Sequence, residues 1–453
     1  MRDSLSRGLR LATFAALLAG GAVRAGAQTV PDGVSLTGAV RFRLEAIDGQ
    51  ARTGANSSDQ LAQLRTQVKA SWQHDWLQAV VEVHDSRAWG ANSATPLSTG
   101  EVNTLEPVQA YLRANLGAIA GPGSSASVQA GRFTLALGSS RLVANDDYRN
   151  TTNAFTGLRA DVATRSGFKA TAIYVLPLAR LPDDGPSLRD NRPELDRESF
   201  STVLWGAFLS RKAKGSRLLQ EVSFLHLGER DWAGHPTRDR SLNTAGARLL
   251  SDPRPGAFDW GVEGIYQWGG ISASTAPNAA RLDVSATFVK FQAGYSFRGA
   301  WHPRLLVEFD RASGDGTGGT YGRFDPLYGS RRAELAPSGL YSALARTNIL
   351  SPGARVEVTP SARVDGFVGY RALWLADSHD AFAGTGVRDA SGRSGSFAGH
   401  QFDMRVRWWL VPKRLRFEAD AVLLAKGSFL RNAPNATPGA TTRYGSLNLT
   451  ASF

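Results

Sequence analysis

The sequence has no cysteine, and its seven histidines are scattered over 453 residues. Without cysteine the chain has no disulfides and lacks the most common ligand of structural zinc. The histidines show no paired metal-binding spacing, and the hydrolase motif Gly-x-Ser-x-Gly is absent. These absences disfavour metal and hydrolase chemistry.

Long apolar runs are also missing. An arginine-rich start precedes an apolar stretch at 11–23, and small residues end at Ala27. This order is typical of a secretory signal peptide, so we interpret residues 1–27 as a leader and 28–453 as one mature domain. No later segment reaches the roughly 18 apolar residues that a transmembrane helix needs. We therefore expect an exported protein without transmembrane helices.

Lysine is scarce as well, with only seven residues, so arginine supplies nearly all the positive charge of a chain whose formal net charge is +12. A GC-rich genome would give this composition without any functional reason. A cavity or surface that attracts anions would give it too. The positions of the arginines distinguish the two explanations.

Residues 405–424, RVRWWLVPKRLRFEADAVLL, show where arginine falls. Arg405 and Arg407 alternate with apolar residues, and Arg414 and Arg416 do the same after a Pro-containing break. A period of two places arginine on one face of a β-strand and apolar side chains on the other. A soluble sheet and a transmembrane barrel both have this pattern, so one hairpin does not separate them.

The same alternation predicts about 18 strands along the chain. They are expected at residues 35–47, 61–73, 76–87, 107–116, 126–133, 155–165, 167–176, 201–211, 217–227, 242–250, 257–268, 281–297, 303–311, 353–359, 362–375, 399–410, 414–425 and 443–453. The alternation is least regular at 126–133 and 217–227. The fold class is therefore all-β.

Long and short connections alternate along this series of strands. The longest is 312–352, whereas 74–75 suffices elsewhere. Outer-membrane barrels sort their connections this way, with short periplasmic turns and long extracellular loops. The last strand ends on Phe453, and tryptophans gather near strand ends as in two aromatic girdles. These features favour a transmembrane antiparallel β-barrel in a Gram-negative outer membrane over a soluble sandwich.

In such a barrel the polar face of each strand lines the lumen. Cations outnumber acids on that face, which predicts an interior that favours anions. The pore-lining candidates on the strands are Arg41, Arg43, Arg65, Lys69, Arg113, Arg159, Arg363, Arg405, Arg407 and Arg416. Some are expected to pair with acids for stability, for example Arg363 with Asp365.

Three segments carry a family resemblance. Residues 128–162, VQAGRFTLALGSSRLVANDDYRNTTNAFTGLRADV, resemble the signature segment of the alginate-export family of outer-membrane porins. Residues 323–360 and 399–430 are similar to its second block and its C-terminal hairpin. The resemblance implies a monomeric barrel with a constricted, arginine-rich pore for an anionic polysaccharide or related solute, and it adds Arg132 and Arg141 to the candidates.

The match departs from the family in one place. The family's Phe-Asp-Gly is here Phe155-Thr156-Gly157, so an acidic partner of the pore arginines is missing. Many family members do not secrete alginate, which leaves the substrate open.

Other readings stay open. A general small-solute porin would need no anionic specificity. An outer-membrane hydrolase would need a convergent pair such as His84 and Asp85. An adhesin would bind through the loop at 312–352. Asp146 and Asp147 are weak candidates for calcium.

The sequence thus predicts a porin rather than an enzyme, surrounded by lipid and lipopolysaccharide. Its solute is expected to be an acidic oligo- or polysaccharide or an organic acid. No cofactor and no nucleic-acid partner are expected. We expect a monomer, with periplasmic export or uptake partners as an option.

Overall fold

The computed structural model describes residues 32–330 and 334–453, and the predicted leader lies outside these residues. The strands are β1 Val34–Asp48, β2 Asp59–His74, β3 Leu77–Trp89, β4 Asn103–Gly117, β5 Ser125–Phe133, β6 Phe155–Ala163, β7 Phe168–Pro177, β8 Thr202–Arg211, β9 Leu218–Glu229, β10 Ser241–Ser251, β11 Ala257–Ser272, β12 Arg281–Ser296, β13 Arg304–Ala312, β14 Thr320–Tyr321, β15 Ile349–Ser361, β16 Val364–Trp374, β17 Phe397–Val411, β18 Leu415–Lys426 and β19 Thr441–Ser452. Two short helices lie in loops, α1 Gly185–Arg189 and α2 Ser428–Asn432.

The sheet closes on itself. Each long strand pairs antiparallel with its neighbours in the chain, and β1 pairs with both β2 and β19. The two-residue β14 runs parallel to β12, and the other 18 strands form the barrel. Closure satisfies every strand edge, which a hydrocarbon environment demands because it offers no water to unpaired backbone groups. The predicted all-β transmembrane barrel is confirmed.

None of the helices in residues 32–330 and 334–453 is both long and apolar enough to cross a membrane.

The connections alternate in length as predicted. One end of the barrel has short turns, of which 75–76 and 362–363 are two-residue examples. The other end has the long loops, including 134–154, 178–201 and 313–348. By the rule for outer-membrane barrels, the short-turn end is periplasmic and the long-loop end is extracellular.

The two faces of the strands differ as the alternation predicts. Val406 and Trp408 point outward and are exposed, whereas Arg405 and Arg407 are partly covered inside the barrel. Exposed aromatic side chains cluster near both rims, such as Trp72, Trp76, Trp301 and Trp408 at the periplasmic end and Trp205, Tyr266 and Trp268 toward the extracellular end. These are the positions of the two girdles of a membrane barrel.

Several strand ends differ from prediction. β4 begins at Asn103, not at 107, since the strand continues through Pro107 with a register shift against β3. β15 begins at Ile349, not at 353, because Pro352 sits in the ladder opposite Phe309. Proline donates no backbone hydrogen bond, and a strand tolerates it where the partner strand needs no donor.

Two predicted lumen arginines lie in turns instead. Arg363 is exposed in the 362–363 turn, and Arg414 is exposed in the turn at 412–414. Their alternation with apolar neighbours continues past the end of the strand, where the strand no longer fixes the direction of the side chain. The prediction that Arg363 faces the lumen from a strand is therefore wrong.

The apolar core lies inside the barrel. At the extracellular ends of the strands the inward side chains become apolar, as with Phe133, Phe155 and Phe288. They pack against loop residues that fold into the lumen, such as Tyr341 and Phe382. The extracellular half of the barrel is thus filled by its own loops.

We expect Met404→Arg, near the middle of the lipid face of β17, to lower the free energy of unfolding by about 2–4 kcal/mol. The reason is that a charge at mid-bilayer loses its hydration. Val411→Arg, on the last residue of the same strand, should cost about 0–1 kcal/mol because it lies at the interface. Both side chains are exposed apolar groups in the wild type. Urea titration in lipid vesicles measures both, and equal costs would contradict the assigned depth.

Candidate functional site

Two loop segments occupy the lumen. The β5–β6 loop, residues 134–154, and the β13–β15 segment, residues 334–348, are largely buried within the barrel. Backbone carbonyl and amide groups that are buried in this way need partners. The barrel wall supplies them with charged side chains from β1, β2, β15 and β16.

Arg41, Arg43 and Arg65 hold the β5–β6 loop. Arg41 Nη1 and Arg65 Nη1 both donate to the carbonyl oxygen of Asp147, at 2.8 and 3.0 Å. Arg43 Nη2 donates to the Tyr148 carbonyl at 2.6 Å, and its guanidinium lies 4.2 Å from the Tyr148 ring centroid. Three predicted pore cations are therefore buried anchors of a loop.

The loop also reduces the repulsion between two arginines of the wall. Arg41 and Arg65 are direct cross-strand partners of β1 and β2, a position where two cations repel each other. The loop places acceptors between them, since Arg65 Nη2 also pairs with the Asp147 carboxylate at 2.6 Å. Burial by itself would raise the pKa of Asp147, but Arg65 and Arg41 outweigh it and lower that pKa to about 2.

The acids of this loop are engaged by arginine. Asp147 binds Arg65, and Asp146 lies 3.3 Å from Arg149. No group of three or more His, Asp or Glu side chains in residues 32–330 and 334–453 is arranged to hold a metal ion. The calcium interpretation of Asp146 and Asp147 has no support in these contacts.

The β13–β15 segment is held at its middle. The amide of Leu340 donates to Glu45 Oε2 at 2.8 Å. The Leu340 carbonyl accepts from Gln50 Nε2 at 3.0 Å and from Arg52 Nη2 at 3.1 Å. Residues near the extracellular end of β1 thus fix the segment across the lumen.

Glu334, at the start of that segment, joins a buried charge network. Its carboxylate binds Arg141 of the β5–β6 loop and Arg346, the latter at 2.6 Å. Its carbonyl accepts from Arg355 at 3.0 Å and Arg371 at 3.1 Å. Desolvation alone would raise the pKa of Glu334, but Arg141 and Arg346 hold it well below its usual range.

The network continues into the wall. Arg371 binds Asp310 at 2.9 Å and Glu308 at 2.6 Å, and Lys290 binds the same two acids at 3.3 and 3.0 Å. Arg141 also reaches Glu263 of β11. A buried charge left without its partner costs several kcal/mol, so these pairs lock the two loop segments together.

The other predicted cations are divided among paired and unpaired positions. Arg132 binds Glu106 at 2.5 Å and Glu198 at 2.7 Å, and Arg159 binds Asp161 at 2.8 Å. Arg113 Nη2 donates to Ser127 Oγ at 2.9 Å.

On the β16–β18 wall, Asp365 pairs with Arg407 at 2.8 Å and with Arg405 at 3.7 Å, not with Arg363 as predicted. Arg416 lies 3.9 Å from Glu418. Within residues 32–330 and 334–453, no acid forms a salt bridge with Lys69 or Arg363. Most wall cations are therefore already partly neutralised.

Two arginines from different loops meet at one acceptor inside the lumen. Arg149 Nη2 and Arg180 Nη1 both donate to the same neutral oxygen, Asn153 Oδ1, at 2.5 and 2.6 Å. Arg180 Nε donates to the Thr99 carbonyl at 3.0 Å. We call Arg149 and Arg180 the constriction pair.

The constriction pair lines two cavities, of about 590 and 340 Å³. In the described part of the chain no carboxylate forms a salt bridge with Arg180. Burial and the charge of Arg149 lower the pKa of Arg180 to about 9, so it keeps its charge at neutral pH. Arg149 also pairs with Asp146 at 3.3 Å, so the positive potential that an anion would relieve comes mainly from Arg180.

Buried polar atoms around these cavities lack hydrogen-bond partners within residues 32–330 and 334–453. They include Thr347 Oγ1 and Arg346 Nε at the larger cavity and Ser338 Oγ at the smaller one. Such groups are satisfied by water or by a solute. The cavities can therefore hydrogen-bond a polar molecule.

Strand alternation alone did not identify Arg180 and Arg346. Both lie in irregular loops, where no period indicates which side chains face the lumen. Arg149 lies within residues 128–162, the segment that resembles the family signature. Their position depends on how the loops fold back into the barrel, which local sequence does not encode.

The hydrolase pair does not form. His84 Nε2 lies 2.7 Å from Glu82 inside the barrel, whereas Asp85, on the opposite face of β3, binds Arg87 at 2.9 Å. Adjacent residues of a strand point to opposite faces, so the two cannot meet.

Comparison with known proteins identifies the family to which this barrel belongs. A family model described as "Alginate export" matches residues 33–442. No curated protein matches the sequence.

Similar solved structures are outer-membrane porins. A BenF-like porin from Pseudomonas fluorescens Pf-5 has a TM-score of 0.59 and 11% identity, covering 94% of this chain and 100% of that one. Pseudomonas aeruginosa OccK2 (OpdF) in complex with glucuronate has 0.58 and 13%, covering 95% and 99%. Pseudomonas aeruginosa OpdK with vanillate has 0.56 and 12%, covering 92% and 98%. At these identities the likeness concerns the fold.

We expect Asp147→Asn to loosen residues 145–150. The change leaves Arg41 and Arg65 facing each other with only carbonyl oxygens as acceptors, and like charges repel. Open-channel current noise at neutral pH should rise by a factor of roughly two or more. Asp190→Asn is the control, because Asp190 is an exposed loop acid away from the lumen, and it should leave the noise unchanged.

The lowered pKa of Asp147 also gives the wild type a pH dependence. A carboxylate whose pKa is lowered in the fold stabilises it above the unfolded pKa, about 4, and the effect is lost as the pH falls toward the folded value. The noise should stay constant from neutral pH down to about 5 and rise between about 4 and about 2. A flat profile over that range would mean that carbonyl acceptors alone hold the loop.

Proposed function

The chain belongs to the alginate export family, and from this membership and the geometry of the constriction we propose that it passes anionic solutes passively across the outer membrane. The solutes are acidic oligo- or polysaccharides or organic acids. The observation that carries the proposal is the constriction pair, Arg149 and Arg180, which shares one neutral oxygen between two cavities.

Arginine suits this task for two reasons. Its planar group offers several donors to a carboxylate, and it stays charged over the working pH range. Asn153 Oδ1 and the Thr99 carbonyl accept from two nitrogens of Arg180, so the remaining N–H groups of its guanidinium can donate to a passing anion. The anion also relieves the repulsion between Arg149 and Arg180.

In this proposal the cations of the barrel wall contribute less to the anion preference than the constriction pair does. Arg159, Arg405 and Arg407 retain part of their exposure, but each faces an acid at salt-bridge distance. A cation that is paired with an acid contributes less to the potential in the lumen than Arg180, which forms no salt bridge in the described residues. Arg113, which forms no salt bridge with an acid in the described residues, adds to the positive potential on the periplasmic side, whereas Lys69 lies opposite Glu82 of β3.

The solute class rests on the site and on two of the similar structures. OccK2 was solved in complex with glucuronate and OpdK with vanillate, and both ligands carry a carboxylate. The cavities next to the constriction pair, about 590 and 340 Å³, have room for one such molecule. A long polysaccharide would pass only as an extended chain.

A general porin without anionic preference is the second candidate. It is favoured by the extensive pairing of the wall arginines with acids, which lowers the net potential. We propose no enzymatic activity, since the family and the similar structures are channels. We also propose a monomer in a lipid and lipopolysaccharide environment, with export or uptake partners left to experiment.

We expect the reversal potential in a planar bilayer under a salt gradient to show a preference for anions. Arg149→Gln and Arg180→Gln should each lower the anion-to-cation permeability ratio by a factor of roughly two or more, because each removes a positive charge that lines both cavities. The preference should weaken at high salt, where screening shortens to about 3 Å at 1 M.

Arg192→Gln is the matched control. Arg192 lies in the same loop as Arg180 but is 64% exposed and paired with Asp190, so its removal should leave selectivity unchanged. A cation-selective wild-type pore, or equal effects of all three variants, would overturn the proposal and leave the general porin.

A further inference from the structure

A third cavity lies on the extracellular side of the constriction. It has a volume of about 570 Å³ and is formed mainly by the loop at 230–240 and by residues 321–328. We call it the outer chamber. None of the predicted pore cations lines it.

One wall of the outer chamber is a flat aromatic surface. The backbones of Trp232 and His235 bond to each other in a tight turn, with His235 N donating to the Trp232 carbonyl at 2.8 Å. Their rings stack with centroids 4.2 Å apart and planes 19° apart. The turn thus holds the two rings as one rigid platform at the tip of an extracellular loop.

Arg238 supplies a fixed cation to the chamber. Its Nε donates to the Ser272 carbonyl at 2.8 Å and its Nη1 to the Tyr321 hydroxyl at 3.2 Å. Its guanidinium lies 4.8 Å from the Tyr321 ring centroid.

Arg238 differs from the other two arginines of the chamber in its partners. Arg240 binds Glu229 and Asp325, and Arg323 binds Asp380. In the described residues, by contrast, no acid forms a salt bridge with Arg238. The chamber therefore presents one cation that its own acids do not neutralise.

The outer chamber adjoins the larger cavity of the constriction pair. His235, Tyr328 and Thr347 line both cavities. Thr347 Oγ1 is buried between them and has no hydrogen-bond partner in the described part of the chain. A buried hydroxyl in this state is completed by water or by a polar solute that lies across the boundary.

We propose that the outer chamber is a recognition subsite for a ring that carries a carboxylate. The Trp232–His235 platform packs against the face of the ring, and Arg238 binds the carboxylate. The Thr347 hydroxyl donates a hydrogen bond to the carboxylate as the solute moves to the constriction pair. Sugar acids and aromatic acids share this chemistry. The proposal rests on the anion channel proposed above. It adds a preference for ring-shaped solutes to the preference for negative charge.

The test uses current interruptions in single-channel records, with the solute added on the side of the extracellular loops. Glucuronate is compared with gluconate, and benzoate with hexanoate, because each pair has the same charge and similar size but only the first member has a ring. The ring member of at least one pair should interrupt the current at roughly ten-fold lower concentration. A difference between glucuronate and gluconate indicates a subsite for sugar acids, and a difference between benzoate and hexanoate indicates a subsite for aromatic acids.

Two substitutions test whether the outer chamber causes the preference for ring acids. Trp232→Ala and Arg238→Gln should each raise the required concentration of the ring acid by roughly three- to ten-fold. Phe200→Ala and Arg192→Gln are the controls, because these exposed loop residues do not line the chamber. Neither control should change the response.

The outcomes separate the two proposals. A pore without anion preference in the reversal potential overturns the proposed function. An anion-selective pore that treats ring and open-chain acids alike, or that is unaffected by Trp232→Ala and Arg238→Gln, overturns the outer chamber alone.

Discussion

The interaction on which this structure depends is the hydrogen bond from a wall arginine to a carbonyl group of an inward loop. A barrel of this size has a wide interior, and loops that fold into it bury carbonyl groups that need donors. Arg41, Arg43 and Arg65 provide them for residues 147–149, and Arg355 and Arg371 for Glu334. Arginine serves here because one side chain offers several fixed donors and remains charged when buried. Replacing it with lysine would lose the fork that spans two carbonyl groups.

This use of arginine changes what a count of lumen charges means. Cations outnumber acids on the inward face, yet the most buried of them hold loops or bind acids such as Glu308, Asp310 and Glu334. In the function that we propose, the charge available to a solute comes from a few positions, above all Arg180 together with Arg149, which the loops bring together on Asn153. Selectivity and loop anchoring are therefore linked, because the β5–β6 loop that Arg41 and Arg65 hold is the one that carries Arg149. A wall arginine can affect permeation without touching the solute.

The sequence predicted the barrel well because its signals are local. Alternation identifies each strand from a few residues, as in 405–424. The length of each connection indicates at which rim of the barrel it lies. The prediction was wrong where the local pattern does not determine the structure. Arg363 keeps the alternation but lies in a turn. Strand β15 runs through Pro352 because its pairing depends on the partner strand. The site was predicted only in part. The inward direction of Arg41, Arg65 and Arg405 follows from parity, but Arg180 and Trp232 lie in loops whose path depends on contacts distant in sequence.

The most direct test of the account is to locate bound anions by anomalous diffraction from crystals soaked in bromide. We predict a bromide peak between Arg149 and Arg180, in the cavity next to Asn153. We predict none beside Arg41, Arg43 or Arg65, which are buried against the carbonyl groups of residues 147–149. Peaks at Arg159, Arg405 and Arg407 should be weaker than the first because acids lie beside those side chains. A series of wall peaks with nothing at Arg149 and Arg180 would contradict the claim that the loops, rather than the strands, set the anion preference.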